Sequence, residues 1–186
     1  LNFCTVDLSA FYFDIRKDSL YCDPKSSKKR KSCIIVLNII LESLLKWFAP
    51  ILSFTTEEIF TLIDKNKKSI HLEKFIEIPK SYLDKKLEEK WMQLKKIRDI
   101  CNISLEAKRA SKEIGSSLEA NLTINLNKKI IELTKNVDFS ELCITSGTKI
   151  QKSNSDEITA EAIKAEGQKC PVCWKINKDE CERHPS

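Results

Sequence analysis

Hydrophobic residues recur at helical spacing through most of the first half of this chain. Residues 33–48 are almost continuously apolar, interrupted only by Asn38, Glu42, Ser43 and Lys46. Asn38, Glu42 and Lys46 recur every four residues, so they lie on one narrow polar face, where Glu42 and Lys46 form a favourable pair. The pattern predicts the buried central helix of a bundle and argues against a membrane span.

A second long helix is predicted from about Ser81 to about Glu113, with Gly115 ending it. One face of it is apolar, formed by Leu87, Trp91, Leu94, Cys101 and Leu105. Arg98 projects from the middle of this apolar face. Either its aliphatic stem lies along the apolar surface with the charge in water, or the arginine is held rigidly toward a bound partner.

Residues 1–23 also fit a helix better than a strand. Three adjacent aromatic residues, 11–13, point in different directions on such a helix, and Arg16 and Lys17 follow them. One interpretation of this segment is an ordinary helix end with solvated charges. Alternatively, the aromatic and basic groups are placed to meet the bases and the backbone of a nucleic acid.

A basic connection follows at residues 24–32, which contain Lys28, Lys29 and Arg30. Proline and serine mark it as a loop. Such a run is usually solvated, and it also resembles a targeting signal. It equally offers several phosphate contacts at one place.

The hydrophobic period changes after Gly115. Leu122, Ile124 and Leu126 alternate with polar residues, which is typical of a half-buried strand. A short helix is predicted at 128–136, a second strand at 142–145, and a less regular third strand at 158–162. Residues 116–165 are therefore predicted to form a small α/β module.

Four metal-ligand residues close the chain in two pairs. Cys170 and Cys173 are spaced by two residues, as are Cys181 and His184. Thiolate and imidazole are the ligands that Zn²⁺ prefers, and four of them fill a tetrahedral site. Because no position is left for substrate, the site is predicted to be structural. A redox C-x-x-C motif and a disulfide are the alternatives, but no strand-to-helix α/β context surrounds Cys170.

Composition narrows the remaining function classes. The 186 residues include 41% hydrophobic residues, enough for a core, and carry a formal net charge of +5, which suits a partner with phosphates. Only three glycines occur, which argues against a glycine-rich nucleotide-binding loop. The eight cysteines are spread over helix-like and strand-like segments and the metal motif, which indicates a reducing cytoplasm. No catalytic constellation and no signal peptide are recognisable.

Four segments, in this order, resemble the C-terminal part of bacterial-type isoleucyl-tRNA synthetases. They are S-A-F-Y-F-D-I-R-K-D at 9–18, W-F-A-P-I-L-S-F-T at 47–55, I-G-S-S-L-E-A at 114–120 and E-G-Q-K-C-P-V-C-W at 166–174. The second and third are shared in looser form by valyl enzymes. The cysteine-rich tail points to the isoleucyl family.

The resemblance implies a mainly α fold in three parts. Residues 1–115 would be a helical-bundle anticodon-binding domain, 116–165 a small α/β junction module, and 166–186 a zinc-binding motif. The chain would be a fragment of a cytoplasmic, monomeric enzyme with no membrane segment. That enzyme would use ATP and Mg²⁺ to charge isoleucine tRNA, in catalytic and editing domains absent from this chain.

Two sets of site residues follow. A structural Zn²⁺ is expected on Cys170, Cys173, Cys181 and His184. The family normally has cysteine where this chain has His184, so the fourth ligand is either His184 or a residue beyond Ser186. Contacts to isoleucine tRNA are expected from Arg16, Lys17, Lys28, Lys29, Arg30 and Arg98. The alternative function is a free-standing zinc-dependent nucleic-acid-binding or scaffold protein.

Overall fold

Helices dominate the computed structural model, which describes residues 2–63 and 68–184. The described helices are α1 (Asp14–Tyr21), α2 (Lys28–Phe48), α3 (Ser53–Ile63), α4 (Lys85–Ala110), α5 (Lys128–Leu133) and α6 (Phe139–Leu142). A π-helical segment, Phe3–Phe13, runs directly into α1. The strands are β1 (Ala120–Leu126), β2 (Gly147–Lys152), β3 (Thr159–Lys164), β4 (Gln168–Lys169) and β5 (Ile176–Asn177). The predicted mainly α class is confirmed.

The chain forms two compact units. One comprises Leu1–Cys22 with Asp84–Ser186, and the other Asp23–Leu83. This grouping of contacts differs from the three predicted domain ranges, which stay a prediction.

The core of the first unit lies between α4 and a three-stranded sheet. Strand β1 is central, parallel to β2 and antiparallel to β3. Its alternate residues, from Ala120 to Leu126, are buried against α4, whose Ile97 and Cys101 are fully buried. Helix α4 begins after Asp84, whose side chain accepts hydrogen bonds from the amides of Lys86 and Leu87. The strand predicted at 122–126 and the long helix are therefore confirmed.

The strand predicted at 142–145 is wrong. Residues 139–142 form α6, because the Asp138 carboxylate accepts hydrogen bonds from the amides of Ser140 and Glu141 and so caps the helix. The chain then turns through Ile144, whose φ is 56°, and the amide of Thr145 donates to the carbonyl of Ser140 at 2.9 Å. The strand that pairs with β1 begins only at Gly147.

The second unit contains α2 and α3, and it corrects the prediction that α2 is a buried central helix. Its N-terminal half is largely exposed, with Ile35 59% exposed. The small core of this unit is formed instead by Leu45, Ala49, Phe60 and Ile70. An apolar pattern predicts which face can be buried, but apart from Cys33 the buried residues of this helix all lie in its C-terminal half.

The prediction for the polar face of α2 agrees better with the structure. Lys46 is only 8% exposed and pairs with Glu42 at 2.7 Å, as predicted, and with Glu73 at 3.4 Å. Hydrogen bonding to Glu42 raises the pKa of Lys46. Among the described residues, no helix is long and apolar enough to cross a bilayer.

We expect Ile97→Ala to destabilise the first unit by about 2–5 kcal/mol, because it leaves a cavity in the fully buried core between α4 and the sheet. Urea unfolding followed by circular dichroism measures this loss. Ile103→Ala on the same helix is the matched control, since Ile103 is 72% exposed. Equal stability of the two variants would contradict the proposed core.

Candidate metal centre and nucleic-acid interface

A small β-hairpin presents the first two metal ligands. Strands β4 and β5 pair Gln168 with Asn177 and Lys169 with Ile176. The hairpin needs glycine before β4, since Gly167 has a φ of 133° and a Cβ there would lie 2.1 Å from the carbonyl oxygen of Asn177. The Cys170–Cys173 turn is therefore held at the tip of a constrained hairpin.

The structure brings the four predicted ligands together. Their ligand atoms all lie within 4.8 Å of one another. The Sγ atoms of Cys173 and Cys181 are 3.8 Å apart, and Nδ1 of His184 is 3.6 Å from the Sγ of Cys170 and 3.5 Å from the Sγ of Cys181. A tetrahedral zinc would place two sulfurs about 3.8 Å apart, and sulfur and nitrogen about 3.6 Å apart, given its usual bond lengths. The residues therefore fit such an ion.

Imidazole orientation at this site is fixed from the other side of the ring. Nε2 of His184 lies 2.9 Å from the carbonyl oxygen of Cys22, the residue that ends α1. The neighbouring Arg183 pairs with Asp18 of α1 at 2.6 Å. The end of α1 and the last metal ligand are thus in direct contact.

The thiols of this cluster have unequal acidities. Hydrogen bonds from the backbone amides of Cys173 and Val172 lower the pKa of Cys170 to about 6. Burial raises the pKa of Cys173 to about 12. Hydrogen bonding to the carbonyl of Cys22 raises the pKa of His184. Cysteine binds a metal as the thiolate, so metal binding at this cluster should release protons, above all from the buried Cys173.

An apolar pocket of about 350 Å³ lies beside the cluster, and sequence reasoning missed it. Its lining includes Tyr21, Ile144, Val172 and Trp174. Trp174 has a φ of 62° and is 59% exposed, and the Nζ of Lys169 lies 5.3 Å from its ring centroid. The aromatic residue that directly follows the C-x-x-C pair in the sequence was the available signal.

Arg16 and Arg98, two of the predicted nucleic-acid contacts, are tied into the protein. Arg16 pairs with Glu141 at 2.7 Å. The guanidinium of Arg98, whose side chain is 14% exposed, pairs with Asp14 at 2.9 Å and donates to the carbonyl of Leu142 at 2.9 Å. Arg98 thus joins α1 and α4 to the end of α6.

The other four predicted nucleic-acid contacts are less tightly held than Arg16 and Arg98. Lys17 is 66% exposed and lies 3.4 Å from Asp14. Lys28 and Lys29 are exposed in the first turn of α2, which belongs to the other compact unit. Arg30 follows them and donates to the carbonyl of Asp23 at 2.8 Å. The structure therefore distributes the six predicted residues over both units.

Comparison with known families decides the family of this chain. Residues 1–130 match the model of the anticodon-binding domain of tRNA ligase. The chain belongs to this family. All six basic candidates lie inside the matched range of the anticodon-binding domain, and the metal hairpin lies beyond it.

Relatives of this anticodon-binding chain extend over the hairpin as well. The isoleucine–tRNA ligase of Pelagibacter ubique is 74% identical over 99% of the chain, and that of Bartonella henselae is 40% identical over 96%. The enzyme of the same name from Agrobacterium fabrum is 38% identical over 96%. The chain spans about 20% of the length of each of these relatives. The resemblance predicted from the four sequence segments is confirmed.

We expect Arg98→Met to lower the free energy of unfolding of the first unit by about 1.5–3 kcal/mol, because it removes a charged donor shared by Asp14 and the Leu142 carbonyl. Of its ion pairs with described residues, Asp14 then keeps only the longer one with Lys17. Lys96→Met, at an exposed position of the same helix, is the control. Chemical denaturation measures both. A loss no larger than that of the control would show that Arg98 does not join these segments.

Proposed function

We propose that this chain is the C-terminal, tRNA-binding part of an isoleucine–tRNA ligase and that it holds the anticodon region of isoleucine tRNA. The observation that carries the proposal is the match to the anticodon-binding domain over residues 1–130, together with 74% identity to a named isoleucine–tRNA ligase over 99% of the chain. A free-standing zinc-dependent nucleic-acid-binding or scaffold protein is not favoured, since these relatives are all tRNA ligases.

The proposed mechanism of this chain is recognition. An anticodon loop is single-stranded, so its bases can unstack and lie against aromatic side chains, and its phosphates pair with lysine and arginine. Trp174 and Tyr21, 59% and 83% exposed, offer such aromatic surfaces beside the pocket. We retain Arg16, Lys17, Lys28, Lys29, Arg30 and Arg98 as proposed phosphate contacts. Of these, the exposed lysines are best suited to direct contact, because the two arginines of the first unit are more buried and are held by short pairs with carboxylates.

Zn²⁺ is the ion that we propose for the four-ligand cluster. The spacing of its sulfur and nitrogen atoms supports a tetrahedral ion, and three thiolates with one imidazole are typical zinc ligands. Such an ion would be structural, because it takes all its ligands from the protein. Its role would be to fix the hairpin and the residues that carry Trp174.

The chemistry of the whole enzyme is proposed to lie outside this chain. ATP and Mg²⁺ would be used there to join isoleucine to its tRNA, and this chain would contribute binding energy and orientation. We also propose that the whole enzyme is a monomer that acts in the cytoplasm. No disulfide joins cysteines in the described part of the chain, which suits a reducing compartment.

We expect the purified chain to carry about one zinc ion, and Cys173→Ser to lose it, since the variant removes one of four ligands. Elemental analysis after gel filtration measures the zinc content. Cys4→Ser is the matched control, because Cys4 is distant in sequence from the motif and outside the cluster. Zinc retained at the wild-type level in Cys173→Ser would contradict the assignment.

We expect Trp174→Ala to weaken binding of isoleucine tRNA by about 5–100-fold, the usual effect of removing one stacking partner. Lys17→Ala should weaken it less and lower the dependence of affinity on salt by about one charge. Filter binding across a salt series measures both. Tyr82→Ala, in the other compact unit at 64% exposure, is the aromatic control. Unchanged affinity in both test variants would exclude the surface around Trp174 and Lys17 from the tRNA interface.

A further inference from the structure

We propose that the C-terminal end of α1 is the outer shell of the metal centre, with the Cys22 carbonyl and the Asp18–Arg183 ion pair as positioning groups for His184. The proposal rests on the metal site proposed above. It goes beyond that site by assigning roles to residues about 160 positions away in the sequence, as the separations of the two contacts show. It also implies that metal binding affects the conformation of α1, the helix that carries Arg16 and Lys17.

Histidine differs from the three cysteine ligands in having a second polar ring atom. Nδ1 of His184 faces two of the sulfurs, at 3.5 and 3.6 Å, while Nε2 lies 2.9 Å from the Cys22 carbonyl. A carbonyl oxygen only accepts, so Nε2 carries the hydrogen. The lone pair of Nδ1 is then left for the metal. The carbonyl therefore selects the tautomer that can act as a ligand from this position.

The Cys22 carbonyl is available because α1 ends there. The amide of Cys22 donates to the carbonyl of Asp18 at 2.8 Å, which completes the last turn of the helix. The last carbonyls of an α-helix have no partner within the helix, and they form its negative end. A ring N–H is a suitable donor for such a group. The hydrogen bond thus satisfies a helix end and a metal ligand at once.

The ion pair between Asp18 and Arg183 lies next to this contact. Asp18 lies one helical turn before Cys22, and Arg183 directly precedes His184. Their side chains meet at 2.6 Å and are 28% and 37% exposed. A pair this exposed contributes little to stability by itself. Its position nevertheless aligns the two backbones, so that the carbonyl and the imidazole meet.

Two consequences follow from this arrangement. Metal affinity should depend on Asp18 and Arg183, although neither is a ligand, because groups that orient a ligand typically change affinity by about 10–100-fold. By the reciprocity of linked equilibria, the metal should in turn hold the last turn of α1 in place. A cysteine at position 184 could bind the metal but could not transmit this effect.

The test measures Zn²⁺ affinity of the 186-residue chain by competition with a chromophoric chelator. Asp18→Asn and Arg183→Gln should each weaken binding by about tenfold, and the double variant no further, because the two act as one pair. Asp99→Asn, the same change at an exposed position of α4, should leave affinity unchanged. In a His184→Cys background, the effect of Asp18→Asn should fall to that of the control.

A spectroscopic measurement separates positioning from a general electrostatic effect. In the zinc-loaded chain, long-range ¹H–¹⁵N spectra should show His184 with a protonated Nε2 and a metal-bound Nδ1. His71→Gln assigns the signals, since the chain has only two histidines. Additive losses in the double variant, a metal-bound Nε2, or an undiminished Asp18 effect in His184→Cys would each overturn the proposal. A wild-type chain that binds no zinc would overturn the metal site itself.

Discussion

The guanidinium of Arg98 joins segments that are distant in the sequence, and the candidate site depends on their being held together. Its pair with Asp14 and its hydrogen bond to the carbonyl of Leu142 connect α1 with the end of α6, across the middle of α4. Arginine suits this position because its planar group can donate in several directions at once. The pocket beside the metal cluster is lined by residues of two of these segments, among them Asp14 of α1 and Ile144 after α6.

Local sequence patterns predicted the elements of the fold better than their partners. The alternation in β1 depends on neighbouring residues, and it agrees with the observed burial. The spacing at 170–184 is equally local, and the structure brings its four residues together, while their role as metal ligands stays a prediction. The strand predicted at 142–145 failed because a short apolar run fits two structures, and the capping carboxylate of Asp138 decides between them. The prediction that α2 is buried failed for another reason, since an apolar helix face does not reveal which element, if any, covers it. Arg98 could not be interpreted because its partner Asp14 is 84 residues away.

Pairing within the protein changes how the basic residues can be used. Arg16 and Arg98 are largely neutralised by Glu141 and Asp14, so their charge adds little to the field that a phosphate meets. They hold the aromatic segment of 11–13 in place instead, as the 5.5 Å distance from Arg98 to the ring of Phe11 indicates. The exposed lysines keep their charge in water, where they can attract a backbone from a distance but are screened by salt.

A metal in the cluster would directly order the short segment that carries its ligands, and it would affect distant parts of the fold only through the contacts of that segment. Its four ligands lie within residues 170–184, so binding orders about 15 residues, which could not form a core by themselves. The contact of His184 with Cys22 extends that order to α1 without any further ligand. Because the imidazole must offer one nitrogen to the metal and the other to the helix, the two contacts favour the same ring orientation. A metal bound at this cluster would therefore stabilise more than the loop of its own ligands. Through the histidine at position 184 it would also connect this loop to α1, near the other end of the first unit's sequence.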